Sequence, residues 1–235
     1  MTQPSTNGGT PASSGRTPAQ GNRLDPWYDV YADRAHNLRA SEIRALFSVV
    51  SRPEVVSLAG GMPNLKDLPL DKLAASAEKL IRNHGAQAMQ YGSGQGWEVL
   101  RERITEVMSY DGIVGADPDD VVVTTGSQQA LDLVTELFVN PGDVILAEAP
   151  SYVGALGVFR ARQADIVHVP MDEHGIIPEA LEETIRDVRA SGRTIKFIYI
   201  IPNYHNPAGV TLSAERRPII AEICLREHVL IVEDN

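Results

Sequence analysis

Cysteine is nearly absent from this sequence, which has Cys224 and no other among its 235 residues. One cysteine excludes a disulfide framework and is typical of a reducing compartment. Cys224 falls in an apolar helical pattern, so we expect it to pack in the core rather than to react. Long apolar runs are also missing: none approaches the roughly 18 residues of a membrane span, and the first residues lack the apolar segment of a signal peptide. We therefore expect a soluble, cytoplasmic protein with no membrane partner.

Basic residues and metal-ligand patterns are scarce as well. Lysine and arginine together number 21 against 31 acidic residues, which gives a formal charge of −10. Such a chain repels phosphate backbones, so we expect no nucleic-acid partner. Four of the histidines do not lie at the spacings of metal ligands: His168, His174, His205 and His228. We predict no metal site, and we interpret His205 as a loop residue rather than a ligand or base.

Composition changes along the chain and suggests where its parts begin. Residues 1–24 contain no large apolar residue between Met1 and Leu24, so this segment is predicted to be a disordered tail. We assign residues 25–65 to an N-terminal arm with a first helix over Ser41–Val50, capped by Ser41. The remaining residues, 66–235, are predicted to form part of one large domain.

From Val121 onward, predicted strands and helices alternate on short connections. This alternation predicts an α/β fold with a mainly parallel sheet covered by helices on both faces. The predicted strands are Val121–Thr125, Asp143–Ala147, Ile166–Val169, Phe197–Ile201 and Val229–Val232. The predicted helices of residues 66–235 are Lys72–Arg82, Trp97–Met108, Pro178–Val188 and Ser213–Glu227. Two more helices are predicted to begin at Gly126-Ser127 and after Tyr152, and a turn is predicted at Asp172–Gly175.

Two strands of this sheet are followed by polar side chains. The run FIYII of Phe197–Ile201 leads to Asn206-Pro207-Ala208-Gly209, and the strand Val229–Val232 leads to Glu233-Asp234-Asn235. Because parallel strands end at the same edge of a sheet, Asn206 and Asp234 are predicted to meet there. Ligands of open α/β sheets bind at this edge.

Three glycine-containing segments are candidates for close approach to a ligand. Gly126-Ser127-Gln128 begins a helix, where unpaired N–H groups and the positive dipole end favour an anion. Gln90–Gly96 is a glycine-rich loop before a helix, and Gly60-Gly61 ends a short apolar run. Taken alone, each segment is only a weak signal, because simple turns and plain helix starts commonly have the same residues.

Together these motifs resemble the class I/II, aspartate-aminotransferase-like family of pyridoxal-phosphate (PLP) enzymes of fold type I. The resemblance rests on the strand–NPAG–helix–strand–ED arrangement and on a Y-G-x-x-x-G-x-x-x-L-R pattern that starts at Tyr91. Ser41-Glu42-Ile43-Arg44 is similar to the first-helix pattern of the 2-aminoadipate and kynurenine aminotransferase branch. The family transfers an amino group between an amino acid and a 2-oxo acid, with 2-oxoglutarate and glutamate expected as one pair.

The resemblance implies a role for each of these residues. It implies that Asn206 donates to the phenolic oxygen of PLP and also lies at the substrate, and that Asp234 pairs with the pyridine nitrogen. Gly126, Ser127 and Gln128 would bind the phosphate, and the Tyr152 ring would stack on the pyridine. Tyr91 would bind the phosphate of a neighbouring subunit, which implies a homodimer with shared sites. Near the substrate, the resemblance places Gly60 and Gly61 by its carboxylate, and Ser41 and Arg44 by its side chain.

The Schiff-base lysine of the family has no counterpart in the sequence. The chain contains four lysines, Lys66, Lys72, Lys79 and Lys196, and none follows Asp234. We expect that lysine beyond Asn235, and so no catalytic residue within the chain. We expect a large domain incomplete at its C-terminus, and a 235-residue chain that is inactive by itself.

Three other interpretations remain open from the residues. A doubly wound nucleotide-binding enzyme also explains the alternation, although no G-x-G-x-x-G follows the first strand. A non-catalytic relative, either a regulatory domain or a degenerate subunit, is a second. Another fold type I PLP activity, as a lyase, decarboxylase or synthase, is a third.

Overall fold

The computed structural model describes residues 27–36, 55, 65 and 67–235 of the chain. Two compact units are present, Met1–Asn37 and Leu38–Asn235. In the first, a 3-10 turn over Tyr28–Val30 precedes the short helix α1, Asp33–His36. The predicted helix Ser41–Val50 and the candidate residues Ser41, Arg44, Gly60 and Gly61 lie outside the described residues.

The second unit is built around a five-stranded sheet. Its strands are β1 (Val144–Ala149), β2 (Asp165–Asp172), β3 (Gly175–Ile176), β4 (Ile195–Ile200) and β5 (Leu230–Glu233). They lie in the order β3-β2-β1-β4-β5, and β2, β1, β4 and β5 pair in parallel. Only the two-residue β3 is antiparallel, because it folds back on β2 through the predicted turn at Asp172–Gly175.

Alternate side chains of the strands enter two separate cores, one on each face of the sheet. Leu146 and Ile198 pack on one face, against the helices α6 (Pro178–Ala190) and α7 (Arg216–Arg226). Ile145 and Tyr199 pack on the other face, against α4 (Ser127–Phe138) and α5 (Val153–Ala161). Strands that are buried on both faces need apolar residues at consecutive positions, which explains the continuous apolar runs. The predicted mainly parallel sheet with helices on both faces is confirmed.

Among the described residues, two further helices precede this sheet, α2 (Leu70–Ala88) and α3 (Glu98–Tyr110). α2 contains the predicted helix Lys72–Arg82 and extends it at both ends, whereas α3 begins one residue later and ends two residues later than the predicted Trp97–Met108. The apolar stripe of α2 remains exposed, with Leu73 56% and Ile81 52% accessible. No described helix combines the length and the apolar character needed to cross a membrane.

Two predicted elements differ in the structure. Val121–Thr125 is not a strand: the residues have the apolar pattern of one, but no described strand pairs with them, and Val123 N–H donates instead to the Gln95 carbonyl at 2.9 Å. The last helix begins at Arg216 rather than Ser213: residues 214–215 form a turn, in which the N–H groups of Arg216 and Arg217 donate to the Ser213 carbonyl. Cys224 is buried in the core as predicted, and burial raises the pKa of its thiol to about 11.

An arginine clamp fixes the β2–β3 hairpin to α7. Arg216 Nη1 and Nη2 donate to the two oxygens of Asp172 at 2.6 and 2.8 Å, and Nη1 also donates to the Gly175 carbonyl at 2.9 Å. A bidentate pair of this kind is both directional and strong. The hydrogen bonds from Arg216 hold the pKa of Asp172 at about 2, below its ordinary value of 3.8.

This clamp predicts a pH-dependent contribution to stability. Because the pKa of Asp172 is lower in the folded chain, its contribution is complete above about pH 4 and is lost as the pH falls toward 2. The Asp172→Asn variant should therefore have a lower urea midpoint of unfolding than the wild type at pH 7. The difference between the two midpoints should be smaller at pH 3. Asp120→Asn, at an exposed aspartate, is the control. An equal difference at both pH values would contradict the prediction.

Candidate functional site

The carboxyl edge of β4 and β5 carries the two residues that the sequence predicted there. Ile200 of β4 is paired with Glu233 of β5, and the Asp234 N–H continues the ladder to the Ile200 carbonyl at 2.9 Å. Asp234 therefore follows directly on the last strand pair. Asn206 lies in the turn that follows β4, and its side chain is exposed, with no hydrogen bond to any described residue.

Asp234 is oriented by a buried tyrosine of the neighbouring strand. The Tyr199 hydroxyl donates to Asp234 Oδ2 at 2.5 Å, and Tyr199 is fully buried. Burial, followed by the hydrogen bond and the charge of Asp234, raises the pKa of Tyr199 well above its usual value, so this group stays a donor. Within the described chain nothing else bonds the carboxylate, so Oδ1 is left for a ligand. A carboxylate fixed in this way is suited to pairing with a cationic ring nitrogen.

Tyr152 follows the end of β1, the strand next to β4, and it is the N-cap residue of α5. It packs against the core face that contains Tyr199, and its ring lies over Gly154. A Cβ atom at Gly154 would lie 2.4 Å from Tyr152 Cζ, so any side chain there would displace the ring. The absence of a side chain at Gly154 therefore determines where this aromatic surface sits.

The start of α4 has the features of an anion site. Gly126 precedes it with φ +95°, a conformation that residues with a side chain rarely adopt. No side chain caps the first N–H groups of α4, and its first turn contains no acidic residue. Gln129 Oε1 accepts from Thr125 N–H at 2.7 Å, and this bond holds the chain just before Gly126. Ser127 is exposed. Unpaired N–H groups at the positive end of a helix dipole favour a phosphate.

One hydrogen bond joins this helix start to the tyrosine segment. Gln128 Nε2 donates to the Gly154 carbonyl at 3.4 Å, so the first turn of α4 lies beside the first turn of α5. The structure thus links Gln128, Tyr152 and Asp234 through direct neighbours. Tyr91 is not joined to them: it is 99% exposed on its loop, and no described residue bonds its hydroxyl.

Sequence reasoning missed three residues at this edge: Tyr199, Glu148 and His205. Tyr199 was interpreted only as part of an apolar strand. Glu148 and His205 are buried, and Glu148 Oε2 lies 3.1 Å from His205 Nε2. His205 does lie in a loop, as predicted, but its ring is inside the protein. The acid within the buried run VILAEA was the available signal, because a buried carboxylate requires a partner.

Known proteins of one family match the chain. The model of the family described as aminotransferase class I and II matches residues 53–235. The aromatic-amino-acid aminotransferase 1 of Thermococcus litoralis is 38% identical over 205 residues, which are 87% of this chain and 49% of that protein. The 2-aminoadipate transaminase of Thermus thermophilus is 34% identical over 209 residues, which are 89% of this chain and 50% of that protein.

Solved structures agree with the sequence relatives. A kynurenine aminotransferase of Pyrococcus horikoshii superposes with a TM-score of 0.83 at 34% identity, covering 91% of this chain and 52% of that one. The chain thus spans about half the length of the relatives it matches. The predicted resemblance and fold class are confirmed, and this chain belongs to the class I and II aminotransferase family.

Proposed function

We propose that the full-length protein containing this chain is a PLP-dependent aminotransferase that moves an amino group between an amino acid and a 2-oxo acid. The observation that carries the proposal is Asp234, whose carboxylate is oriented by Tyr199 at the carboxyl edge and keeps one oxygen free. Bound PLP would supply an electron-accepting ring, which needs a carboxylate at its nitrogen.

The other residues of the edge fit the remaining parts of this cofactor. The open N–H groups after Gly126, with Ser127 and Gln128, suit a phosphate. The Tyr152 ring offers an aromatic surface, and Asn206 offers an unpaired amide donor. We assign the cofactor site to these residues and Asp234.

The relatives guide the choice of substrates. They are named for aromatic amino acids, 2-aminoadipate and kynurenine, so we propose donors of these classes, with 2-oxoglutarate as acceptor. Ser41 and Arg44, outside the described residues, are proposed to contact the donor's side chain, and Gly60, Gly61 and Asn206 its carboxylate end. We also propose a homodimer in which Tyr91, whose ring is exposed and whose hydroxyl has no partner among the described residues, binds the phosphate in the next chain.

The covalent lysine of the reaction is proposed to lie outside residues 1–235. Lys196 Nζ is 3.3 Å from Asp143 Oδ2 at the amino edge of the sheet, opposite Asn206 and Asp234. Lys72 and Lys79 belong to α2, a helix without a buried residue. No contact joins a described lysine to Asn206 or Asp234.

The test uses the full-length protein. Purified protein should show PLP absorbance, and it should convert 2-oxoglutarate to glutamate with at least one donor of the three classes. After borohydride reduction, peptide mapping should find the PLP adduct on a lysine other than Lys66, Lys72, Lys79 and Lys196. Loss of carbon dioxide, or release of ammonia without glutamate, would instead indicate a decarboxylase or a lyase. An adduct on one of those four lysines would refute the lysine assignment.

A further inference from the structure

A second polar pair lies beneath the carboxyl edge, in addition to Tyr199 and Asp234. Glu148, on β1, is 1% exposed, and His205, in the turn after β4, is 2% exposed. Glu148 Oε2 lies 3.1 Å from His205 Nε2, off the line of a straight hydrogen bond. Burying two such groups is costly unless they meet each other, and apolar side chains could fill the same space. The pair therefore calls for an explanation other than packing.

Glu148 connects two strand ends. Its Oε2 accepts the Ile201 N–H at 2.8 Å, just after β4 ends. Its own strand leads within four residues to Tyr152, the aromatic residue of the proposed site. Burial raises the pKa of Glu148 to about 7, and the Ile201 N–H opposes that rise. The carboxyl group thus ties the end of β4 to the tyrosine segment.

His205 holds the turn that contains Asn206. The ring atom Nδ1 accepts the Ala208 N–H at 3.3 Å. The backbone N–H of His205 donates to the Val210 carbonyl at 2.8 Å, and the backbone carbonyl of His205 accepts the Gly209 N–H at 2.6 Å. Because Nδ1 accepts, the ring proton of the neutral imidazole is assigned to Nε2, which faces Glu148. Burial lowers the pKa of His205, which favours this neutral form. The ring thereby holds the backbone at Ala208, two residues after Asn206, and the backbone of His205 itself anchors the residue before Asn206.

We propose that Glu148 and His205 are positioning residues that fix the Asn206 amide relative to the Tyr152 ring, so that both meet a bound PLP ring. Asn206 has no described partner of its own, so the direction of its side chain depends on the turn that His205 holds. Glu148 lies against His205, with Oε2 3.1 Å from Nε2, on the strand that leads to Tyr152. This inference rests on the proposed function.

The experiment measures PLP binding by absorbance and inorganic phosphate binding by calorimetry, on the full-length protein. Glu148→Leu, which removes the oxygen that faces both His205 Nε2 and the Ile201 N–H, should weaken PLP binding on the order of tenfold. Inorganic phosphate by itself needs only the first turn of α4, so the affinity of the variant for phosphate should stay within about twofold of the wild-type value. Equal losses for both ligands would mean that the pair only supports the fold.

Two further variants separate positioning from general stability. His205→Gln can still place an amide N–H toward Glu148 and should recover most of the PLP affinity, whereas His205→Leu should not. The loss in Glu148→Leu/Asn206→Ala should equal that in Asn206→Ala, because the pair acts through Asn206. Additive losses would overturn the inference and leave the proposed function intact. A wild-type protein that binds no PLP would instead refute the proposed function and the inference with it.

Discussion

Replacing Asp234 with alanine is expected to lower kcat/KM for amino transfer by about two to four orders of magnitude in the full-length protein. In the proposed site, its free oxygen pairs with the protonated ring nitrogen while Tyr199 holds the other oxygen. Removing one partner of a buried charged pair costs roughly 3–5 kcal/mol. Since about 1.4 kcal/mol corresponds to a factor of ten in rate, the predicted range follows.

The neighbouring acid provides the control for this prediction. Glu233 precedes Asp234 and is exposed, so Glu233→Ala should leave kcat/KM close to the wild-type value. Asp234→Asn should still accept the Tyr199 hydroxyl but lacks the charge, so it separates electrostatics from packing. Wild-type turnover by Asp234→Ala would refute the assignment. An equal loss in Glu233→Ala would mean that both changes simply disrupt the end of β5.

The second large effect is expected at Asn206. Its amide is proposed to donate to the phenolic oxygen of PLP, and hydrogen bonds to charged groups contribute about 1.5–3 kcal/mol. Asn206→Ala should therefore lower kcat/KM by roughly 10- to 100-fold and shift the absorbance maximum of the bound cofactor. Kinetics and the visible spectrum of the same protein preparation measure both.

Asn203 serves as the matched control because it is an asparagine of the same turn. Its Oδ1 accepts from Arg217 Nη2 at 2.7 Å, and its Nδ2 donates to Asn235 Oδ1 at 2.6 Å. Asn203→Ala should lower the unfolding temperature without shifting the cofactor spectrum. A spectrum for Asn206→Ala that matches the wild type would contradict the proposed contact.

The sequence predicted the edge of the sheet because its signals there are local. Consecutive apolar residues in Phe197–Ile201 require burial on both faces, and Pro202 stops the ladder. Parallel pairing then fixes which end of each strand carries Asn206 and Asp234, whatever the rest of the chain does. The helix start at Gly126-Ser127 was equally local, and the structure places α4 there.

Local signals failed where pairing depends on distant residues. Val121–Thr125 has the pattern of a strand, yet a strand exists only when a neighbour supplies a ladder, and none is present among the described residues. The start of α7 differs by three residues, because a turn at residues 214–215 precedes the regular helix. A local pattern of residues does not show whether a distant strand is present to pair with it.

The sequence by itself determined the two-faced sheet and the edge that carries Asn206 and Asp234, since the spacing of apolar residues and the order of the chain suffice for these, and its motifs carried the resemblance to the family. The tertiary structure alone decided how those residues are held. Tyr199 and Asp234 are 35 residues apart in the chain, and Glu148 and Ile201 are 53 apart, yet each pair is joined by one hydrogen bond. Such contacts form because the folded strands bring buried polar groups together, where each must find a partner that water no longer supplies.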